Sequence, residues 1–379
     1  MKKFLLAALM LFPVIAFAVT VAELNNVLNF PLFAADGKTW DYPAFRARVN
    51  RAMKLTGNNG RFAAKVRLQV AGAPAHEIVV YTAGKKPQIS TISVIFANKG
   101  DTNGNYNSQI KDAKRNISTS LSRIMGKPKR STLRTGMIRA KADLWQTPFA
   151  QFYLEVDKKE FVILHIMPLK PNSTANSTED KDYSTNVRRN NFGDVFIPNV
   201  PMVDQGAKGY CVPATMERIF LYYGIRMDMH HLAEIGNSSK DDGTDTNRII
   251  KDITTIRRRA GLKYTRIGTL SVKGVSRYID KGYPVMWVMY STSDLKRVYQ
   301  YSVANRSKAA SPDQWRRSLK KITIPYKEEG PHVCLIVGYN LKTDEIAVTN
   351  SWGAAHIVPI WIPAKAAYKI SRETMVFTP

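Results

Sequence analysis

The chain has 379 residues, 44% of them hydrophobic, and its 56 lysines and arginines against 30 aspartates and glutamates give a formal net charge of +26. This composition excludes a disordered or fibrous chain, and the length exceeds one ordinary domain, so two are expected. The positive excess suits anionic surfaces such as cell-envelope polymers. The basic clusters at 127–130, 257–259 and 316–321 coincide with no nucleic-acid motif, so no specific nucleic-acid partner is expected.

Residues 1–18, MKKFLLAALMLFPVIAFA, have the layout of a secretory signal peptide. Lys2 and Lys3 precede an apolar run from Phe4 to Phe17, and Ala16 and Ala18 flank a cleavage point. The run is shorter than the roughly 20 residues a membrane-spanning helix needs. A secreted or periplasmic chain with no transmembrane segment after cleavage is the expectation.

Residues 24–168 read as a small α+β domain. Val66, Leu68 and Val70 alternate with polar residues in AKVRLQV, and Ile92, Val94 and Phe96 share one face of ISTISVIFA. Ile110, Ala113, Ile117, Leu121 and Ile124 recur at helical spacing and stop at Gly126. The segment FAQFYLEVDKKEFVILHIM then reads as a hairpin turning at 157–159. A sheet covered on one face by a helix is the economical arrangement. His76 and His165 fall in strand patterns and are expected to be structural. This domain is expected to be either a pro-domain or a binding domain.

Residues 169–192 lose apolar periodicity and read as a polar linker. From 193 to 379 the order is helical first, sheet second. Pro213 to Tyr223 carries an apolar stripe closed by Gly224, and a second helix is expected over 272–281. Strands are expected at YPVMWVMYS, HVCLIVGYN and EIAVTN. A basic insertion over roughly 292–325 separates the first two, with Ser311 and Pro312 opening a helix inside it.

Of the two cysteines, Cys211 stands at the start of the first of these helices, behind the glycine-rich DQGAKGY. Helix dipole and free backbone N–H groups at such a position favour thiolate, the attacking form of sulfur. A base and an orienting group are then needed. His332 begins one apolar strand and Asn350 ends the next; pairing of the two as a hairpin makes them neighbours, so that Asn350 can fix the imidazole tautomer. Cys334 alternates within its strand and is expected to be an inert core thiol. His230 and His231 point to different helix faces and do not suggest a metal site; His356 is expected to be structural. No metal or organic cofactor is expected.

Glutamine six residues before the cysteine, histidine before an apolar strand ending in VGY, and NSWG, in that order, resemble the papain-like cysteine peptidases over about residues 193–379. Histidine and asparagine follow the cysteine by 121 and 139 residues, against roughly 130–150 in papain-like enzymes. The resemblance implies Cys211 as nucleophile, His332 as general base and acid, Asn350 as its orienter, Gln205 as oxyanion donor and Trp352 as a shield for the Asn–His bond. It implies an α+β domain whose helical part carries the nucleophile and packs on an antiparallel sheet carrying the histidine and asparagine. The surroundings GYCVPATMERIFLYYG, MHHLAEIG and GYPVMWVM are closer to the bacterial C39-like branch, although that branch usually carries aspartate where Asn350 stands. The implied function is a secreted cysteine peptidase acting on peptide or protein substrates. The alternatives are a cell-wall amidase or acyl transferase with the same site, or an inactive papain-like protein that adheres to anionic surfaces.

Overall fold

A computed structural model of the chain describes residues 19–101, 106–170, 181–239, 242–320, 322, 330–353 and 356–379. The expected signal peptide, residues 1–18, lies outside them. Among the described residues no helix is long and apolar enough to cross a membrane.

The first half opens with helices α1 (Val21–Leu28) and α2 (Tyr42–Val49), followed by strands β1 (Thr56–Asn58), β2 (Arg61–Val70), β3 (Ala73–Ala83) and β4 (Gln88–Asn98). Helix α3 (Tyr106–Met125) and strands β5 (Lys129–Thr135), β6 (Ile138–Gln146), β7 (Gln151–Asp157) and β8 (Phe161–Met167) complete it. The strands form one antiparallel sheet in the order β1-β2-β3-β4-β8-β7-β6-β5. Helix α3 lays Ile110, Ala113, Ile117 and Leu121 on one face of this sheet, against Ile92, Val94, Leu164 and their neighbours.

Strands β5 and β6 are additional to the strands read from the sequence. Lys129, Arg130, Arg134, Arg139 and Lys141 crowd them with charge, and few apolar positions remain to reveal an alternation. The sheet is also buried on its second face. Val79, Tyr81, Ile95, Phe161 and Ile163 point away from α3 and pack with Leu221 of the second half. Burial on both faces explains why β4 and β8 read as nearly unbroken apolar runs. His76 is exposed on β3, whereas His165 is buried between Ser93 and Glu155.

The second half contains β9 (Arg188–Arg189), β10 (Asp194–Phe196), α4 (Cys211–Tyr222), α5 (Met229–Ile235), α6 (Thr246–Asp252), α7 (Thr254–Arg259), β11 (Lys263–Arg266) and α8 (Val272–Ile279). There follow β12 (Val285–Ser291), α9 (Ser293–Asn305), α10 (Pro312–Leu319), β13 (Gly330–Asn340), β14 (Glu345–Thr349), β15 (Ile360–Pro363), α11 (Ala364–Ile370) and β16 (Ser371–Thr378). Its antiparallel sheet runs β11-β16-β12-β13-β10-β9, with β14 also paired to β13 and β15 to β14.

Strand β13 is the hub, buried along nearly its whole length and bonded to β12, β10 and β14. At Gly338 any side chain would drive a Cβ to 2.6 Å from Phe196 Cβ and 2.7 Å from the Val195 carbonyl, so glycine is required where β10 crosses the β13–β14 bulge. Helix α4 lies against β13, its Thr215 hydroxyl donating to the Val333 carbonyl at 3.3 Å. The α10 cap is the one expected from Ser311 and Pro312: the Ser311 hydroxyl accepts from the Gln314 N–H. The polar stretch 169–192 is more than a tether in its described part, because Tyr183 is buried against Tyr222, Tyr223 and Tyr283.

Candidate active site

Helix α4 begins at Cys211 itself, two residues before the expected start. Tyr210 occupies the cap position and provides no side-chain cap bond. Pro213 has no N–H to offer, so the unpaired donors of the first turn are those of Cys211 and Val212. Both act on the Cys211 sulfur, together with the backbone N–H of Val333 from β13. Burial nevertheless outweighs these donors and pushes the thiol above its ordinary value. The lowering that a helix N-terminus suggests is therefore not the net outcome in the free protein: desolvation of the anion wins.

The β13–β14 hairpin pairs Leu335 with Thr349. Three residues back along β13 stands His332, and the first residue beyond β14 is Asn350. Their side chains meet: His332 Nε2–H donates to Asn350 Oδ1 at 2.8 Å. That tautomer leaves the Nδ1 lone pair free to take a proton. Trp352 stacks on the imidazole with ring centroids 4.6 Å apart and planes inclined by 28°. Burial holds His332 neutral, its pKa down at about 4, although the Asn350 hydrogen bond pulls the other way. His356 packs edge-on against the other ring of this stack, Trp352.

Cys211 and His332 line one cleft of about 1010 Å³. Its walls come from the 242–247 segment, Gly268 to Leu270 and the 368–373 segment; every described lining residue lies at or beyond 211. Gln205 is buried on the loop that leads into α4 and is not among the described lining residues of the cleft. Its Nε2 donates to the Lys208 carbonyl at 3.1 Å, its Oε1 accepts from the Ser351 hydroxyl at 2.6 Å, and its N–H donates to the Ser351 carbonyl at 2.8 Å. Cys334 is fully buried and both cysteines are free; burial raises its thiol far above the ordinary range.

Several supporting residues carried no signal in the sequence. Tyr299, inside the basic insertion, is buried on α9 with its hydroxyl beside Asn350. Arg218 on α4 donates to the Pro201 carbonyl at 2.8 Å, the Thr349 carbonyl at 3.2 Å and the Thr349 hydroxyl at 2.7 Å, fastening the end of β14 just before Asn350. Ser351 and Lys208 flank Gln205 as described. A serine inside NSWG and a lysine inside a polar loop are too ordinary to single out before their partners are known. Of the adjacent histidines, His230 Nδ1 meets Asp228 at 2.7 Å and His231 Nε2 meets Glu155 at 3.0 Å.

A helix with a thiol at its first residue, packed on an antiparallel sheet that carries a histidine–asparagine pair, is the layout that the resemblance to cysteine-type peptidases implies. The model of the Peptidase C39-like family matches residues 197–374. That match covers just under half of the chain and supports a cysteine-type peptidase of the C39-like kind. Among solved structures, the chain is similar to one described as a C39-like peptidase from Bacillus anthracis (10% identity, TM-score 0.32, 49% of this chain and 98% of that one). It is similar also to the peptidase domain of Streptococcus ComA, a bi-functional ABC transporter (12%, 0.31, 48% and 99%), and to xylellain, a cysteine protease from Xylella fastidiosa (16%, 0.27, 52% and 88%). These likenesses are distant, and the family match carries the assignment. No curated protein matches the chain.

Proposed function

We propose that the chain is a secreted or periplasmic peptidase working through Cys211, His332 and Asn350, with residues 1–18 as the signal that exports it. The observation that supports this most is the His332–Asn350 bond of 2.8 Å beneath Trp352, on the wall of the cleft that Cys211 shares. With thiol and imidazole both neutral in the free protein, proton transfer accompanies attack. His332 Nδ1 takes the Cys211 proton as Sγ adds to the scissile carbonyl carbon. The Cys211 backbone N–H and the second amide hydrogen of Gln205 receive the oxyanion. The C–N bond then breaks as His332 returns its proton to the departing amine, and water activated by the same ring hydrolyses the thioester. Asn350 keeps Nδ1 aimed at sulfur throughout.

The test combines labelling and turnover. A thiol-directed alkylator is expected to modify Cys211 and spare Cys334, with a rate that climbs with pH because the thiol is raised. Casein hydrolysis is expected to disappear in Cys211→Ala. Loss of peptidoglycan-fragment cleavage in that variant, with casein never cut, would move the substrate to cell-wall amides. Equal, slow labelling of both cysteines and unchanged hydrolysis in Cys211→Ala would refute the nucleophile.

A further inference from the structure

We infer that the N-terminal sheet is a permanent part of the enzyme that positions the loop leading to Cys211, rather than a segment that covers the cleft until removed. This rests on the reading of Cys211 and Gln205 given above.

Residues 204–210 are held from both sides. On one side, Gln205 is tied to Ser351, the residue after Asn350. On the other, Lys208 sends its ammonium into the first half, 3.4 Å from Glu77 on β3 and 3.3 Å from Asp101. Its side chain is fully buried. Burial disfavours both charges, yet Glu77 and Asp101 raise Lys208, while Lys208 and Lys65 lower Glu77, so the pair stays ionised. The Lys208 carbonyl in turn accepts from Gln205 Nε2. Glu77, Lys208, Gln205 and Ser351 thus form one continuous chain of contacts from the N-terminal sheet to the His332–Asn350 pair.

A second clamp sits beside the nucleophile. The Tyr210 hydroxyl donates at 3.0 Å to Asn98 Oδ1, which also accepts from the Gly100 N–H at 2.7 Å. Gly100 leaves no room for a side chain there, because a Cβ would lie 2.7 Å from the Tyr210 ring. Tyr210 is buried and immediately precedes Cys211.

The remaining interface is of the permanent kind. Arg61 Nε donates to Glu217 at 2.7 Å, and the Tyr81 hydroxyl lies 3.0 Å from Glu217 and 2.8 Å from Asp228 and shares its one proton between them, all four residues being buried. Separation of the halves would strand these charges, which makes a dissociable arrangement costly. The described walls of the cleft, meanwhile, include nothing from the first half. The N-terminal sheet therefore touches the loop behind the site and leaves the cleft open.

The decisive measurements use the full chain. Lys208→Met and Tyr210→Phe are expected to lower kcat by about tenfold to a hundredfold with KM changed by less than about threefold, at temperatures well below melting. Lys208→Arg is expected to restore most of kcat, and Glu77→Gln with Asp101→Asn to add little to Lys208→Met. A merely structural role would lower melting temperature and leave kcat unchanged per folded molecule. Tyr210→Phe removes one oxygen, so it remains informative if Lys208→Met does not fold. Separately, a specific protease site placed within 171–180 allows the purified chain to be nicked. The two pieces are expected to co-elute with activity retained. Release of the N-terminal piece with activity kept or increased, or wild-type kcat in the folded variants, would overturn the inference. Activity surviving in Cys211→Ala would instead refute the nucleophile and is read independently.

Discussion

Replacing Trp352 by alanine tests how the site sets its working pH. The ring lies face to face over His332 at 4.6 Å, and burial brings the imidazole from its ordinary 6.5 to about 4. In free energy this displacement is worth ~3 kcal/mol. Its direction sets the sign: protonated His332 cannot accept the Cys211 proton, so kcat/KM is kept above about pH 4 and lost as pH falls through it. Trp352→Ala exposes one of the two faces of the imidazole to water and relieves about half of the penalty, moving the acid limb upward by about one pH unit. The assay is kcat/KM from about pH 3 to 8 on a peptide with no group titrating there, with folding followed by circular dichroism across the same range. A wild-type limb near the ordinary histidine value, or identical limbs in wild type and Trp352→Ala, would refute the burial argument.

Three further outcomes follow from the packing. Glu217→Ala removes the nearest counter-charge of buried Arg61, leaving it Glu77 at 3.9 Å, and is expected to cost about 3–5 kcal/mol in urea unfolding, with the Arg61→Met/Glu217→Met double variant losing less than the single one. Arg218→Met removes three hydrogen bonds to Pro201 and Thr349; a loss of about 2–3 kcal/mol is expected, and a larger proportional loss of kcat because Asn350 adjoins Thr349. His231 is held above its ordinary 6.5, Glu155 overcoming the opposing effect of burial. Its contribution to stability is complete below 6.5 and declines as pH rises through the elevated folded value, so His231→Gln should flatten melting temperature against pH in that window.

How much of this was legible in the sequence varied with the range of the interactions involved. The helix behind Cys211, its stop at Gly224 and the Ser311–Pro312 start of α10 depend on contacts within a few residues, and local pattern found them. The proximity of His332 and Asn350 was also readable, because a hairpin converts short sequence distance into contact. Strands β5 and β6 were hidden by their charge, since their stability comes from partners in the sheet rather than from an apolar alternation of their own.

The order of cysteine, histidine and asparagine, and the residue types around them, pointed to cysteine-type peptidase chemistry without help from coordinates. Tertiary structure alone decided the electrostatics and the partnership of the halves. A thiol at a helix start looks acidic in isolation, but desolvation depends on every neighbour that excludes water, and here it reverses the local preference. Lys208, Glu217 and Arg61 likewise look like surface charges in the chain. They are buried because each meets its counter-charge across more than a hundred residues of sequence, a pairing that no local pattern encodes.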